Sequence, residues 1–423
     1  MAGATDIIVI GAGVIGISIA LEIQARGRQV HVIDALGVCA GASQGNAGAF
    51  AFSDVLPLAT PRIMRQAPYW LLNPMGPLSI PLSYVPQISP WLWKFWKASR
   101  PSKFAQAVSA QSELMNLSRA ALERQIKRVD GEHLMRREGQ LQLYDTKRSF
   151  DNSLTDWELR KSHGIAFDLV QSAGALADIQ PGMAAQFQYG VYTPDWMNTV
   201  NPKSWVAHLA DRFTQGGGTL SIGKVNSIAF GETGVSVETD TYTIGVRQIV
   251  VAAGAHSHQL ARTLGDIIPL ETERGYNTTL PKGAFELNTH LTFADHGFVV
   301  SKIDDGVRVG GSVELGGLKM QPNYRRATHL LNKAAGFLPA LNTHGGKQWM
   351  GFRPSLPDSL PVISCSKKSR NVIYAFGHGH LGLTQAAATA EIAADLATDT
   401  PSSIGIAPFA ASRFERIKHA YPT

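Results

Sequence analysis

Cysteine is nearly absent from this chain of 423 residues, in which only Cys39 and Cys365 occur. The two are not part of a CxxC motif, and no His/Cys cluster has the spacing of metal ligands. The sequence therefore predicts no disulfide framework and no bound metal, and it favours a reducing, cytoplasmic location. Long hydrophobic runs are missing as well. No stretch reaches about 18 uninterrupted apolar residues and no signal peptide precedes the first strand, so we expect no membrane-spanning helix.

Charge is also scarce, since 17% of the residues are charged and the net charge is +6. The basic residues are scattered along the chain instead of forming blocks, which argues against a nucleic-acid partner. A positive net charge is still compatible with attraction to small anions or to a membrane surface. The length exceeds what a single core normally serves, so we expect two domains or one elaborated α/β unit.

Glycine, in contrast, is abundant, and three glycines form a dinucleotide-binding motif within residues 6–34. "DIIVI" predicts a buried strand, "GAGVIG" a turn, "VIGISIALEIQARG" a helix and "QVHVID" a second strand. Gly11, Gly13 and Gly16 have the GxGxxG spacing that allows a tight turn, close approach of a pyrophosphate and close packing of helix on strand. Asp34 ends the second strand, where a carboxylate accepts hydrogen bonds from a ribose hydroxyl.

Three later segments favour FAD over NAD as the dinucleotide. The glycine-rich loop "CAGASQGNAGAF" follows Asp34, the strand "IVVAAGAHS" leads back to the nucleotide, and "FGHGHLGLT" opens a helix at Gly382. The N-terminus of that helix would stabilise negative charge on a reduced flavin ring. An NAD-binding domain would not need these later segments beside the nucleotide. The predicted cofactor-binding residues are Gly11, Gly13, Val14, Ile15, Gly16, Asp34, Ala35, Ala42, Ser43, Asn46, Ala47, Gly48, Val225, Ala253, Gly254, Gly377, His378, Gly379, His380, Leu381, Gly382, Leu383 and Thr384.

The ordered set of motifs resembles a known enzyme family over essentially the whole chain. "SQGNAG", "NPKSWVAHLA", "IVVAAGAHS", "ERGYNTTL", "GFRPSLPDSLPVI" and "FGHGHLGLT" follow the dinucleotide motif in the order typical of the D-amino-acid oxidase superfamily of FAD enzymes. Within that superfamily, "GNAGAFAFSDVLPLATP" and the segment after it are most similar to the bacterial D-amino-acid dehydrogenase small-subunit type, which includes the D-hydroxyproline dehydrogenases.

The resemblance implies an α/β fold of two domains. A Rossmann-like FAD-binding domain would comprise residues 1–55, 196–270 and 346–423. A substrate-binding domain, with an antiparallel sheet that roofs the flavin, would comprise residues 56–195 and 271–345. The FAD is expected to be non-covalent, because Cys365 does not lie where some family members attach flavin through a cysteine.

The resemblance also implies oxidation of a D-amino acid, or of a cyclic D-imino acid such as D-hydroxyproline, by hydride transfer from the α-carbon to the flavin. The imino acid is then hydrolysed, and the electrons pass to a quinone or another carrier. Two alternatives stay open. One is an amine oxidase of the glycine, sarcosine or opine type that uses O₂, and the other is a flavin-binding subunit of a hetero-oligomer; a homo-oligomer is also compatible with the sequence.

Arg353 and Tyr276 are the candidate substrate-binding residues. Arg353 lies among three prolines in "WMGFRPSLPDSLPVI", which stiffen the chain around a planar group suited to clamping a carboxylate. In the family, the arginine of this segment binds the substrate carboxylate, and a tyrosine after "ERG", here Tyr276, often reaches the substrate. The alternatives are an ion pair of Arg353 with Asp358 and a core role for Tyr276. Arg274 is expected on the surface or in an ion pair.

An aromatic and basic cluster at residues 91–103 is the remaining conspicuous feature. It contains Trp91, Trp93 and Trp96 with several lysines and arginines. One interpretation is a helix that packs its tryptophans into the second domain. The other is a patch for peripheral contact with the inner face of the cell membrane or with an electron acceptor. Packing is the favoured interpretation, since Trp91 and Trp93 do not share a helix face.

Overall fold

The computed structural model describes residues 5–63, 67, 71, 75–231 and 234–414. The helices are α1 (Val14–Ala25), α2 (Val85–Ala98), α3 (Pro101–Arg128), α4 (Lys147–Ser162), α5 (Ala173–Ile179), α6 (Pro202–Gln215), α7 (Ser257–Thr263), α8 (Arg325–Phe337) and α9 (Gly382–Ala397). The first strands are β1 (Ile7–Ile10), β2 (Val30–Asp34), β3 (Ala49–Phe50), β4 (Leu78–Ser79), β5 (Met135–Arg136), β6 (Gln140–Tyr144), β7 (Asp168–Val170), β8 (Tyr189–Thr193), β9 (Met197–Thr199) and β10 (Thr219–Ile222). The later strands are β11 (Val225–Phe230), β12 (Val235–Thr239), β13 (Thr243–Val246), β14 (Gln248–Val251), β15 (Glu271–Leu280), β16 (His290–Phe293), β17 (Phe298–Ile303), β18 (Gly306–Leu315), β19 (Lys347–Ser355), β20 (Val362–Cys365) and β21 (Val372–Phe376).

A six-stranded sheet with the order β10-β2-β1-β14-β21-β20 forms the first region, which we call the floor. Its strands are parallel except β20, which runs antiparallel to β21. The β1 sequence IIVI is buried at every position, as expected for a strand covered on both faces. Helices α1, α6 and α9 pack together on one face of this sheet, and their apolar side chains join those of the strands in one core. The predicted Rossmann-like βαβ unit is therefore confirmed.

A nine-stranded sheet forms the second region, the roof, with the order β19-β15-β18-β17-β16-β6-β8-β7 and with β4 beside β18. It is antiparallel apart from the β6–β16 and β4–β18 pairs. Helix α8 covers one face, where Leu330, Leu331 and Ala334 join the core of the sheet. The roof carries the predicted antiparallel character, with two parallel pairs that periodicity alone does not reveal.

The structure departs from the predicted domains at one boundary and in the place of one helix. The prediction returned the chain to the first domain at residue 346, but β19 pairs with β15 from Lys347 to Ser355 and belongs to the roof. We propose that the return follows Ser355. Helix α3, predicted as part of the second domain, packs against α9 of the floor. Within the described residues no helix is long and apolar enough to cross a membrane.

The tryptophans at 91–103 divide between the two interpretations of that cluster. Trp91 is buried and stacks on Phe95 at a centroid distance of 5.3 Å. Trp93 and Trp96 are 56% and 44% exposed, and the Lys97 ammonium lies 3.5 Å above the Trp93 ring. One tryptophan therefore packs inward, while two form an exposed aromatic and cationic face on α2.

Candidate active site

A cavity of about 970 Å³ is lined by residues of both the floor and the roof. Parallel strands that end together at one edge of a sheet normally form such a binding crevice. Most of the predicted site residues line this cavity. They are Gly11, Gly13, Val14, Ile15, Asp34, Ala35, Ala42, Ser43, Asn46, Ala47, Val225, Ala253, Gly254, Tyr276, Arg353, His378, Gly379, His380, Leu381, Gly382 and Leu383.

Four of the predicted cofactor-binding residues are not among the lining residues and instead shape the wall. A Cβ on Gly16 would lie 1.8 Å from the Gly11 carbonyl oxygen, so Gly16 allows α1 to pack closely on the turn. Gly48 and Gly377 adopt positive φ at the bends beside the cavity. Thr384 is buried, and its hydroxyl accepts a hydrogen bond of 3.0 Å from the Ala51 amide. These positions support the site from behind.

Backbone amides and one carboxylate form the floor end of the cavity. Gly11 has φ of +111°, and a Cβ there would lie 2.4 Å from the Ala252 carbonyl oxygen. The Asp34 carboxylate accepts bonds from the amides of Ala12 at 2.7 Å and Leu36 at 2.8 Å, which fix its orientation. Gly13 offers no side-chain cap to helix α1, the first turn has no acidic residue, and the Val14 amide donates to the Ser43 hydroxyl at 3.1 Å. This end therefore presents amide N–H groups and a positive dipole end, which suit a pyrophosphate.

Helix α9 presents a second N-terminus to the same cavity. It begins at Gly382, as predicted, and Leu381 provides no side-chain cap. Leu381, Gly382 and Leu383 line the cavity. An uncapped helix start leaves amide N–H groups available for an electron-rich ligand atom.

Three roof side chains that the sequence analysis missed hold the loop at residues 42–48 against the sheet. The Asn277 amide donates to the Gly45 carbonyl at 2.9 Å, and the Arg308 guanidinium donates to the Asn46 carbonyl. The Trp349 indole fills the space where a Gly45 side chain would lie. Burial lowers the pKa of Arg308 to about 10. A charged residue inside the alternating strand "VRVGGSVE" was the available signal for Arg308.

Arg353 lies flat across Gly275 of the neighbouring strand. A Cβ on Gly275 would lie 2.4 Å from Arg353 Nη2, and Arg353 Nη1 donates to the Ser312 carbonyl at 3.2 Å. Among the described residues no carboxylate is within ion-pair distance of Arg353. The alternative partner, Asp358, pairs with Arg413 at 2.7 Å instead, so that alternative is wrong. Burial lowers the pKa of the Arg353 guanidinium, and the negative charge of Glu273 partly opposes this shift.

Tyr276 is among the residues that line the cavity, but its side chain is buried and its hydroxyl is already bonded. It donates to Glu314 Oε2 at 2.5 Å and accepts from the Asn323 amide at 3.1 Å. Burial, with the hydrogen bond to Glu314, raises the pKa of this tyrosine. These contacts match the core alternative for Tyr276. Arg274 is fully buried, lies 3.6 Å from Glu314 and donates to backbone carbonyls, so its expected surface position is wrong and its ion-pair alternative holds.

Charged and titratable groups gather near Arg353. His380 Nε2 lies 3.9 Å from an Asp54 carboxylate oxygen, and burial lowers the His380 pKa. Glu273, which the sequence analysis did not select, lines the same part of the cavity. His378 faces inward instead, with Nε2 at 2.9 Å from the Thr389 hydroxyl, and burial lowers its pKa to about 3.

The cavity wall also contains buried polar atoms that have no partner within the described part of the chain. They are Trp196 Nε1, Asn277 Oδ1 and His290 Nδ1. Leaving such atoms unpaired costs free energy. The glycine turns and the two helix N-termini at the cavity match the needs of a bound dinucleotide.

Comparison with known proteins identifies that ligand's class. Residues 6–396 match the DAO family, described as FAD dependent oxidoreductases. A D-amino-acid oxidase of Bradyrhizobium diazoefficiens is 35% identical over 420 residues, which cover 96% of this chain and 98% of the relative. A D-amino acid dehydrogenase of Allorhizobium ampelinum is 27% identical over 414 residues, with 96% and 98% coverage.

Solved structures show the same fold at low sequence identity. A glycine oxidase from Geobacillus kaustophilus has a TM-score of 0.78 and 19% identity, and the match covers 97% of this chain and 99% of that one. An L-proline dehydrogenase from P. horikoshii has a TM-score of 0.74 and 17% identity, with 98% coverage of both chains. With a family match over nearly its full length, and a site that fits the dinucleotide, the chain belongs to the DAO family of FAD-dependent oxidoreductases.

Proposed function

We propose that this protein oxidises a D-amino acid, or a cyclic D-imino acid such as D-hydroxyproline, at the bond between the α-carbon and nitrogen. The observation that carries the proposal is Arg353, a cation in the cavity wall without a carboxylate partner among the described residues. A planar guanidinium with available donors is suited to a substrate carboxylate. Amino-acid oxidation by FAD is the common chemistry of the named relatives, and Arg353 is the residue in this chain that would hold the acid.

The D configuration is supported by the names of the two sequence relatives, both of which act on D-amino acids. The structural neighbours are named for glycine and for L-proline, so the fold itself does not select the configuration of the substrate. The configuration that reacts is set by how the cavity wall places the substrate side chain and the α-hydrogen once the carboxylate is fixed. We propose that the polar wall with Trp196 and His290 contributes to that placement.

The chain's own residues supply binding, orientation and exclusion of water. The first amides of α1 with Ser43 would hold the pyrophosphate, Asp34 a ribose, and the start of α9 the electron-rich edge of the ring. When bound, FAD accepts the two electrons of the α-carbon–hydrogen bond. Arg353 would fix the carboxylate so that the reacting bond is aligned. Water then hydrolyses the released imine to a 2-oxo acid.

We further propose that the FAD is non-covalent. Cys365 lies in β20 and is not among the residues that line the cavity. Acid precipitation of the purified protein should release the flavin into the supernatant. Yellow colour that stays with the precipitate would contradict non-covalent binding.

For the electron acceptor we propose a quinone or carrier approached through α2. The exposed Trp93 and Trp96 are each covered by a cation, Lys97 and Arg100, at 3.5 and 4.8 Å from the ring centroids. Amphipathic aromatic and basic side chains of this kind suit a membrane interface. The alternative, direct reaction with O₂, agrees with the name of the relative from Bradyrhizobium.

The decisive experiment is anaerobic mixing of the purified flavoprotein with a panel of D-amino acids, L-amino acids, glycine, sarcosine and D-hydroxyproline. Loss of flavin absorbance with the D forms supports the proposal, and reduction only by glycine, sarcosine or L forms contradicts it. A flavin that no amine reduces would support the binding-subunit alternative. Peroxide release in air then distinguishes an oxidase from a dehydrogenase, and sedimentation with anionic vesicles tests the α2 surface.

A further inference from the structure

Glu273 is a buried carboxylate that lacks the partners such groups usually have. Two carboxylates are buried in the described part of the chain, and the other, Glu314, is bonded to Tyr276 and lies near Arg274. Glu273 is 5% exposed, lines the cavity and makes no side-chain hydrogen bond or ion pair with the residues that the structure describes. A buried carboxylate without a partner is costly, so a ligand that supplies donors is the expected partner.

The position of Glu273 relative to Arg353 suggests which ligand that is. The two are direct neighbours across the β15–β19 pair, so their side chains leave the sheet on the same face, with Cβ atoms about 5 Å apart. The guanidinium leans over Gly275 towards Ser312, away from Glu273, and the two charged groups do not reach the 4.0 Å of an ion pair. A cation and an anion separated by a gap in one wall are complementary to an α-amino acid zwitterion.

We propose that Glu273 binds the α-amino group of the substrate and accepts its proton, while Arg353 binds the carboxylate. This inference rests on the proposed amino-acid oxidation. The amino group enters as an ammonium, one N–H bond breaks and an O–H bond forms on Glu273. The freed lone pair on nitrogen would then form the C=N bond as the α-hydrogen leaves with its electron pair, for which FAD, when bound, would be the oxidant. The charged or titratable groups facing this point are Arg353, Asp54 and His380, whereas His378 is bonded to Thr389.

The test compares Glu273→Gln with the wild type on matched pairs of ligands. D-alanine and propionate differ only in the amino group, as do D-proline and cyclopentanecarboxylate. Stopped-flow reduction by the amino acid is measured anaerobically, and binding of the amine-free acid is measured from its perturbation of the flavin spectrum. Glu271→Gln is the control, because it removes a charge from the same strand at a residue outside the cavity lining. Glu273→Asp should restore part of the rate.

We expect Glu273→Gln to slow reduction about 100-fold at neutral pH, as loss of a proton acceptor does, and to change propionate binding less than about 3-fold. The loss of reduction rate should become smaller as the pH approaches the pKa of the free substrate ammonium, because the solution then contains neutral amine that needs no proton acceptor. The inference would be overturned if the reduction rate with D-alanine and the affinity for propionate changed by the same factor, or if the loss of rate did not depend on pH. Either result would assign Glu273 a merely electrostatic role.

The two proposals fail in distinguishable ways. If wild-type flavin is reduced by D-amino acids and the Glu273→Gln variant is reduced equally fast, the amino-acid chemistry stands and the role of Glu273 is refuted. If no amino acid reduces the wild-type flavin, the proposed function fails and the inference falls with it.

Discussion

The floor and the roof meet at the same cavity but contribute different kinds of chemical group to it. The floor offers mainly backbone groups to the cavity: a glycine turn and two helix N-termini, with one carboxylate held by amides. The roof offers side chains: Arg353 and Glu273 leave neighbouring strands on the same face of the sheet, and Arg308 holds the loop at residues 42–48. A turn that binds a ligand through its backbone accepts few residue types, so it can be seen in the sequence as a motif. Side-chain recognition depends on which distant strands become neighbours.

The largest effect should come from breaking the backbone side with Gly16→Ala. The added Cβ would lie 1.8 Å from the Gly11 carbonyl oxygen, a contact between two rigid backbone segments. We expect purified protein with little or no FAD and a stability loss of about 1–3 kcal/mol. Flavin absorbance per chain and thermal unfolding measure the two effects. Gly336→Ala in α8, where nothing lies within 4 Å, is the matched control and should keep full flavin content.

The complementary change on the roof is Arg353→Ala. Hydrogen bonds to charged groups contribute about 1.5–3 kcal/mol each, so KM for an amino acid should rise at least about 100-fold while FAD stays bound. Arg353→Lys keeps the charge without the planar guanidinium, so its KM should lie between those of Arg353→Ala and the wild type. Steady-state kinetics with flavin quantification measure both. A nearly unchanged KM, or loss of FAD with the alanine variant, would contradict the division of labour between the two sheets.

Gly275→Ala should give a smaller effect confined to the roof. The new Cβ would overlap Arg353 Nη2 at 2.4 Å and push the guanidinium out of its bonded position. We expect a rise in KM of about 10-fold, equivalent to about 1.4 kcal/mol, with unchanged flavin content. Gly245→Ala in β13 adds a Cβ with no neighbour within 4 Å and serves as the control strand glycine. Equal KM values for both variants would show that Gly275 does not set the position of Arg353.

The last prediction concerns stability instead of activity, and it involves one buried histidine on each side, His290 in the roof and His378 in the loop above the floor. Burial lowers the pKa of both to about 3. The unfolded chain therefore binds protons more readily between pH 6.5 and 3, so the stability present above pH 6.5 is lost as the pH falls. Each histidine should contribute about 1.4 kcal/mol per pH unit within that window.

Denaturant unfolding of His290→Gln and His378→Gln at pH 6.5 and pH 5 measures this slope. Each variant should lose less stability on acidification than the wild type, and the double variant should combine the two changes. A slope that stays at the wild-type value in both would place the acid sensitivity elsewhere in the molecule.

The floor was largely predictable from sequence because its determinants are local. A buried four-residue strand, GxGxxG, a helix and an acid at the end of the second strand are consecutive in the chain, and so are the β21 strand and the start of α9 at Gly382. The roof was predictable only in part. Arg353 was selected through its stiff proline frame and the family resemblance, whereas Glu273 lay unnoticed in "ERGYN", since no local pattern marks a buried carboxylate as unpaired.

The sequence by itself determined the nucleotide-binding unit and the family, because strand burial, glycine spacing and helix starts are encoded within short segments. Only the tertiary structure decided that β19 joins the roof, that Asp358 forms its ion pair with Arg413 and not with Arg353, and that the Tyr276 hydroxyl donates to Glu314. Those pairings join residues 38 to 84 positions apart. The partners on the strands are set by register, which depends on the packing of the whole sheet, and the Arg413–Asp358 pair depends on where the C-terminal segment lies beside the turn after β19.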